Sequence, residues 1–263
     1  MNFNITPMVR NLLIVNVGIF LIGLILKVDL SEIFGLRYIF SPEFQPYQFI
    51  THMFIHADHI HIFSNMLALY MFGPWLERVW GANRFLVFYL ICGLGASILY
   101  SAVTYYEVRA FQQAAEAYLS NPTPDMFVVF INNYISEFYE PLLPKINEFS
   151  NNPHSLYLIE ETTGLVQQLL EKRINTSMVG ASGAVFGILM GYGLLFPNTV
   201  LMLLFPPIPV KAKYLVGFYA LMEIFYGVHK VPGDNVAHFA HIGGMIFAFI
   251  IIKFWNNQRN TFY

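Results

Sequence analysis

Apolar residues fill six stretches of this chain at lengths suited to helices: 11–26, about 56–75, about 85–104, 182–196, about 214–228 and about 236–255. Arg10 and Lys27 flank the first, and no small-x-small site follows it, so it reads as a retained span and not a removed leader. Residues 1–9 form a short tail. Residues 29–47 mix polar positions with Phe34, Tyr38, Phe40, Phe44 and Tyr47 and with Pro42 and Pro46, which suits a loop at the membrane–water interface.

Residues 105–178 break the pattern with nine acids against four bases. Apolar positions recur there at helical spacing over 105–119, 126–139 and 156–174, with turn signals at Asn121-Pro122 and Asn151-Asn152-Pro153. A water-exposed insertion of two or three amphipathic helices is predicted. Residues 200–210 carry Pro206, Pro207 and Pro209, cannot form one continuous helix, and are expected along the membrane edge. The expected organisation is a core in two parts, 1–104 and 179–255, separated by the insertion at 105–178 and closed by a short tail at 256–263.

Composition agrees with six spans: 56% of residues are hydrophobic and 11% charged, against about 25% charged in soluble domains. The fold class is an all-α polytopic membrane protein. No basic patch with interleaved aromatics is present, which excludes a nucleic-acid partner. Cys92 is the single cysteine and lies within an apolar run, so its expected role is packing. With six spans, Arg10, Arg78, Arg84, Lys211, Lys213, Lys253 and Arg259 share one side, and Lys27, Arg37, Lys230 and the insertion the other. The basic side is expected to be cytoplasmic, with both termini there and the insertion outside.

That topology brings three polar stretches to the same outer ends of the second, fourth and sixth spans: 56–65, Gly180-Ala181-Ser182-Gly183, and Ala237 to Gly244. The stretch 182–196 spans roughly 22 Å of an apolar layer about 30 Å thick, so Ser182 sits below the outer surface. A serine hydroxyl needs a neighbouring base to become a nucleophile. His241 can supply it, although His238, three residues earlier, lies on nearly the same face. His61 and Asn65 are four apart and share a helical face. With the Ser182 N–H they are candidate donors to an oxyanion. Gly180 and Gly183 would let a substrate backbone come close. Gly183, Gly187 and Gly191 also fall four apart, as in close helix packing. His56 is expected beside the pocket. Asp234 lies outside the sixth span, seven residues before His241, and is not assigned; no carboxylate is placed as an obvious third member, so a dyad is expected.

The motifs Gly-x-Ser-Gly at 180–183, Ala-His-Ile-Gly-Gly at 240–244 and His-x-x-x-Asn at 61–65 resemble those of the rhomboid intramembrane serine proteases, notably bacterial members with a six-helix core. The resemblance covers roughly residues 5–104 and 176–255. It implies Ser182 as nucleophile, His241 as general base, and His61, Asn65 and the Ser182 amide around the oxyanion, with no metal or cofactor. It implies transmembrane protein substrates cut in or beside the membrane after a small residue, and location in membrane lipid such as a bacterial inner membrane. Phe186 stands where the family often has a tyrosine stacked on the catalytic histidine. Tyr47-Gln48 replaces a common Trp-Arg pair, and Ala248 keeps a small residue four after Gly244. The insertion is longer than in compact members, and its expected role is substrate capture or shielding of the pocket mouth.

Three rival readings have sequence support. His52, His56 and His59 would share a face if one helix ran through them, the arrangement of a metal or haem site. Glu223 lies mid-span, as in a proton-coupled transporter. If the chain is a protease with a simple dyad, Glu223→Gln should leave proteolysis largely intact. A catalytically inactive rhomboid-like binding protein is the third, and the presence of both dyad residues counts against it.

Overall fold

The computed structural model describes residues 5–203, 207–229, 234 and 236–259, with side chains described to residue 256. Pro206, Lys230, the Arg259 side chain and the end of the tail lie outside them. The helices are α1 (Pro7–Leu26), α2 (Ser31–Phe34), α3 (Gln48–Thr51), α4 (His59–Trp80), α5 (Ala82–Ser120), α6 (Pro124–Tyr134), α7 (Tyr139–Asn151), α8 (Leu156–Asn175), α9 (Ser182–Leu195), α10 (Ala212–Val228) and α11 (His238–Arg259). Single 3-10 turns occupy His52–Phe54 and Ser136–Phe138. Among the described residues the fold is all-α apart from one pair of short antiparallel strands.

Each expected apolar stretch coincides with a helix: α1, α4, α5, α9, α10 and α11. Among the described residues, three of these are long and apolar enough to cross a membrane by length and composition: Pro7–Leu26, Ala82–Ser120 and His238–Asn256. Helix α9 is apolar but shorter. The proline-rich stretch after α9 forms two antiparallel strands, β1 (Val200–Met202) and β2 (Pro209–Lys211), with Leu201 opposite Val210. Pro209 sits at the first position of its strand, where a missing N–H is tolerated.

The chain divides into two compact units, one comprising residues 1–36, 45–102 and 177–263, the other 37–44 and 103–176. In the first, α9 is apolar on every side and contacts α4, α10 and α11. A helix without a polar face must be enclosed, and Ala184, Val185, Ile188 and Tyr192 are buried with Leu69, Leu76, Phe88, Cys92 and Ala248. Small residues set how closely the helices meet. A Cβ on Gly244 would overlap the carbonyl of Gly183, so α9 and α11 touch through their backbones. The outer helices show apolar side chains outward, including Ile25 (76% exposed) and Leu221 (69% exposed). Water would penalise such a surface and lipid does not.

The second unit has its own core of Phe111, Tyr118, Phe127, Ile131, Phe149 and Val166. Tyr118 donates its hydroxyl proton to Thr162 Oγ1 at 2.6 Å. Arg37 is buried here, donating to the Asn175 carbonyl and pairing with Glu43 at 2.8 Å. Two expectations need correction. The third apolar stretch does not stop near residue 104; α5 continues unbroken to Ser120, since no glycine or proline falls between residues 105 and 120. Residues 140–151, which lie between the expected helices, form the greater part of α7 despite Pro141 and Pro144. Pro141 falls in the first turn, where no N–H partner is lost, and Pro144 removes a single bond.

One buried carboxylate joins two helices of the first unit. Glu77, in the last turn of α4, accepts from Thr6 Oγ1 and from the N–H groups of Met8 and Val9 at 2.9 Å each. The first N–H groups of a helix lack partners within it and attract negative charge, so Glu77 caps α1. Replacing Glu77 by alanine leaves those buried donors unmet. The expected loss is about 1–3 kcal/mol of stability, read as a lowered melting temperature in detergent.

Candidate active site

Ser182 is the first residue of α9, so its N–H has no partner within the helix and faces the approach to it. The segment before it is held by the main chain. Leu36 and Met178 exchange two N–H to carbonyl bonds of 2.8 Å, and the Gly180 N–H donates to the His52 carbonyl at 2.9 Å. Gly180 has φ of +124°, which an L side chain rarely adopts. A Cβ there would lie 2.6 Å from His61 Nε2 and 3.6 Å from Ser182 Oγ. The glycine is thus the floor on which the His61 ring rests next to the hydroxyl.

Ser182 Oγ and His241 Nε2 are 2.8 Å apart and aligned for a hydrogen bond. His241, in the first turn of α11, is buried. Phe186, one turn after Ser182, stacks on the His241 ring with centroids 4.1 Å apart and planes at 9°. His238 does not compete for the hydroxyl: its Nδ1 faces Glu223 Oε2 at 2.6 Å and its Nε2 faces Asp234 Oδ2 at 2.9 Å.

Asp58 starts α4 as its N-cap, accepting from the N–H groups of Ile60 and His61 at 2.8 Å each. Those backbone bonds, the one to His61 foremost, lower its pKa. The Ala57 N–H lies 3.4 Å from His61 Nδ1 and donates to it. The remaining ring proton therefore belongs on Nε2, the atom turned towards Gly180. Asn65 lies one turn further along α4, buried, with its side-chain amide donating to the His61 carbonyl at 3.0 Å. His56 packs edge-on to His61 at 5.1 Å, and its Nε2 accepts from the Ala181 N–H at 3.5 Å. Gly183 packs against Ala96 and Ala240. Gln48, at the site of the family's usual arginine, is buried and donates to the Ile33 carbonyl at 3.3 Å.

The histidines proposed as a metal or haem face do not share one helix. His52 lies in a 3-10 turn and His59 opens α4 after a loop. His52 Nδ1 is engaged by the Gln48 carbonyl at 2.9 Å, and burial lowers its pKa to about 4. His59 is edge-on to Phe20. Among the described residues, the one set with ligand atoms close enough for an ion is Glu223, His238 and His241, within 4.8 Å of one another.

Glu223 is what sequence reasoning missed. Its Oε2 lies 2.9 Å from His241 Nδ1, on the side of the ring away from Ser182. The contact is short but off the line of the ring N–H, so His241 Nδ1 makes no aligned hydrogen bond. A glutamate fifteen residues before His238, on a different helix, carries no spacing signal that links it to His241.

Gly180→Ala tests the floor of the site. The added Cβ meets the His61 ring and the positive φ is strained, at a cost of about 1–3 kcal/mol. A melting temperature equal to that of the parent protein would contradict this packing.

The comparisons with known proteins agree on one family. The Rhomboid domain model covers residues 43–111 and 152–256, well over half of the chain. RHOMBOID-like protein 2 of Arabidopsis thaliana is 44% identical over 59 residues, covering 22% of this chain and 19% of that protein. Rhomboid protease AarA of Providencia stuartii is 36% identical over 56 residues, 21% of this chain and 20% of that one. RHOMBOID-like protein 12, mitochondrial, of Arabidopsis thaliana is 35% identical over 74 residues, 28% of this chain and 22% of that one. The aligned parts thus span about a fifth of these relatives' lengths. With the family model matched on both sides of the insertion and the apolar helices in place, this chain is an integral membrane protein of the rhomboid family.

Proposed function

We propose that this chain is an intramembrane serine endopeptidase that cleaves transmembrane or membrane-proximal segments of other membrane proteins. The observation that carries the reading is the aligned 2.8 Å contact between Ser182 Oγ and His241 Nε2 at the buried start of an apolar helix. Kinship to a protein named as a rhomboid protease supports it. In this reading Ser182 Oγ attacks the peptide carbonyl as His241 Nε2 takes its proton. The tetrahedral oxyanion is met by the Ser182 N–H, by the positive end of α9, and by the Nε2–H of His61 beside Gly180. Asn65 supports His61 from below and becomes a further donor if its amide turns from the His61 carbonyl. His241 returns its proton to the leaving amine, giving an acyl-enzyme that water then hydrolyses.

Phe186 fixes the plane of the His241 ring by stacking, without a hydroxyl. No metal or cofactor takes part in this scheme. In this reading the termini are cytoplasmic and the 105–178 insertion is outside, as the distribution of lysine and arginine supports, so the pocket opens from the outer side.

Ser182→Ala is expected to abolish cleavage of a model transmembrane substrate, and to abolish labelling by a fluorophosphonate probe, while leaving the melting temperature close to that of the parent. Labelling that persists in Ser182→Ala would remove the nucleophile assignment. A parent protein that neither labels nor cleaves would favour the inactive, binding-only alternative.

A further inference from the structure

A carboxylate in the middle of an apolar helix has to be matched by partners, because desolvating an isolated charge is costly. Glu223 of α10 is 9% exposed and meets two imidazoles with one oxygen, His238 Nδ1 at 2.6 Å and His241 Nδ1 at 2.9 Å. The other nitrogen of His241 is occupied by the Ser182 hydroxyl. For Nε2 to accept that proton, the neutral ring must carry its own proton on Nδ1. An ionised carboxylate accepts and cannot donate, so a carboxylate opposite Nδ1 selects that tautomer.

We propose that Glu223 is a positioning residue for His241: its carboxylate keeps the ring proton on Nδ1 and faces the positive charge that forms when Nε2 takes the Ser182 proton. This rests on the protease reading above. His238 braces the carboxylate, being hydrogen-bonded to Glu223 on one side and to Asp234 on the other. Tyr226 lies across the His238 ring at 5.6 Å and 27°. A line of polar groups thus runs Asp234, His238, Glu223, His241, Ser182. The Glu223–His241 contact is out of line here, as bonds to catalytic groups often are before substrate is bound. Phe186, stacked on the ring, limits how far the imidazole can turn from the acid.

A divalent ion on Glu223, His238 and His241 is the competing use of the same atoms. Donor atoms around tetrahedral zinc lie roughly 3.3 Å apart, from metal–ligand lengths of about 2.0–2.1 Å. The 2.6 Å between His238 Nδ1 and Glu223 Oε2 is a hydrogen-bond length, too short for that geometry.

The test uses the full chain purified in detergent and compares the parent with Glu223→Gln and Glu223→Asp. Glutamine keeps the shape and loses the charge; aspartate keeps the charge and shortens the reach. Glu223→Gln is expected to lower kcat about tenfold or more, with KM within about twofold of the parent, and to be less active than Glu223→Asp. Nitrogen-15 spectra of histidine-labelled parent protein, with His241 assigned by its loss in His241→Ala, should show the neutral ring protonated at Nδ1. Full kcat in Glu223→Gln, or Gln outperforming Asp, would overturn the proposal, since shape alone would then suffice. So would a ring protonated at Nε2 in the parent, or activity removed by a chelator and restored by zinc. The spectrum needs no variant at position 223 and no turnover. An unreactive parent therefore sinks the protease reading while the tautomer still decides this one.

Discussion

The backbone contact between α9 and α11 is the constraint on which the site depends. Gly183 follows Ser182 directly and Gly244 lies three residues after His241, and no side chain separates the two helices there. Hydroxyl and imidazole are therefore brought together less than one turn from a point where two main chains touch. A Cβ on Gly244 would meet the Gly183 carbonyl, so bulk at that crossing pushes the two helices apart. The glycines that loosen a helix in water are tolerated here because burial in apolar surroundings keeps the backbone bonds formed.

Two buried carboxylates inside this apolar frame are answered by groups on a different stretch of chain: Glu77 of α4 by the start of α1, Glu223 of α10 by two histidines of α11. Such pairings add little net stability over an apolar alternative, but losing one partner is expensive. They therefore specify which helices meet more than they strengthen the meeting. Glu77 does this far along α4 from His59, whereas Glu223 does it against the ring that touches Ser182.

Much of this arrangement could be read from residue order. The helical positions of all six apolar stretches, and the convergence of the segments around His61, Ser182 and His241, follow from periodicity and from motifs with a chemical reason behind them. What could not be read falls into two kinds. The continuity of α5 across residue 104 and the helix over 140–151 were hidden because charged residues and prolines weaken a pattern without forbidding a helix. The Glu223–His241 contact was hidden for a different reason: it depends on the rotation of α10 against α11, and spacing along one helix says nothing about the phase of another. His238 and Asp234 were visible as polar residues, but the bond from His238 to Glu223 was not.

The route by which the chain arrives at Ser182 has a consequence of its own. Residues 36, 178 and 180 are fastened by their amide groups, with no side chain taking part. The location of the hydroxyl is thus inherited from the path of the polymer, while the side chains of Leu36 and Met178 are buried and add packing to those bonds. Proline, lacking the hydrogen all three positions donate, is the residue that path refuses.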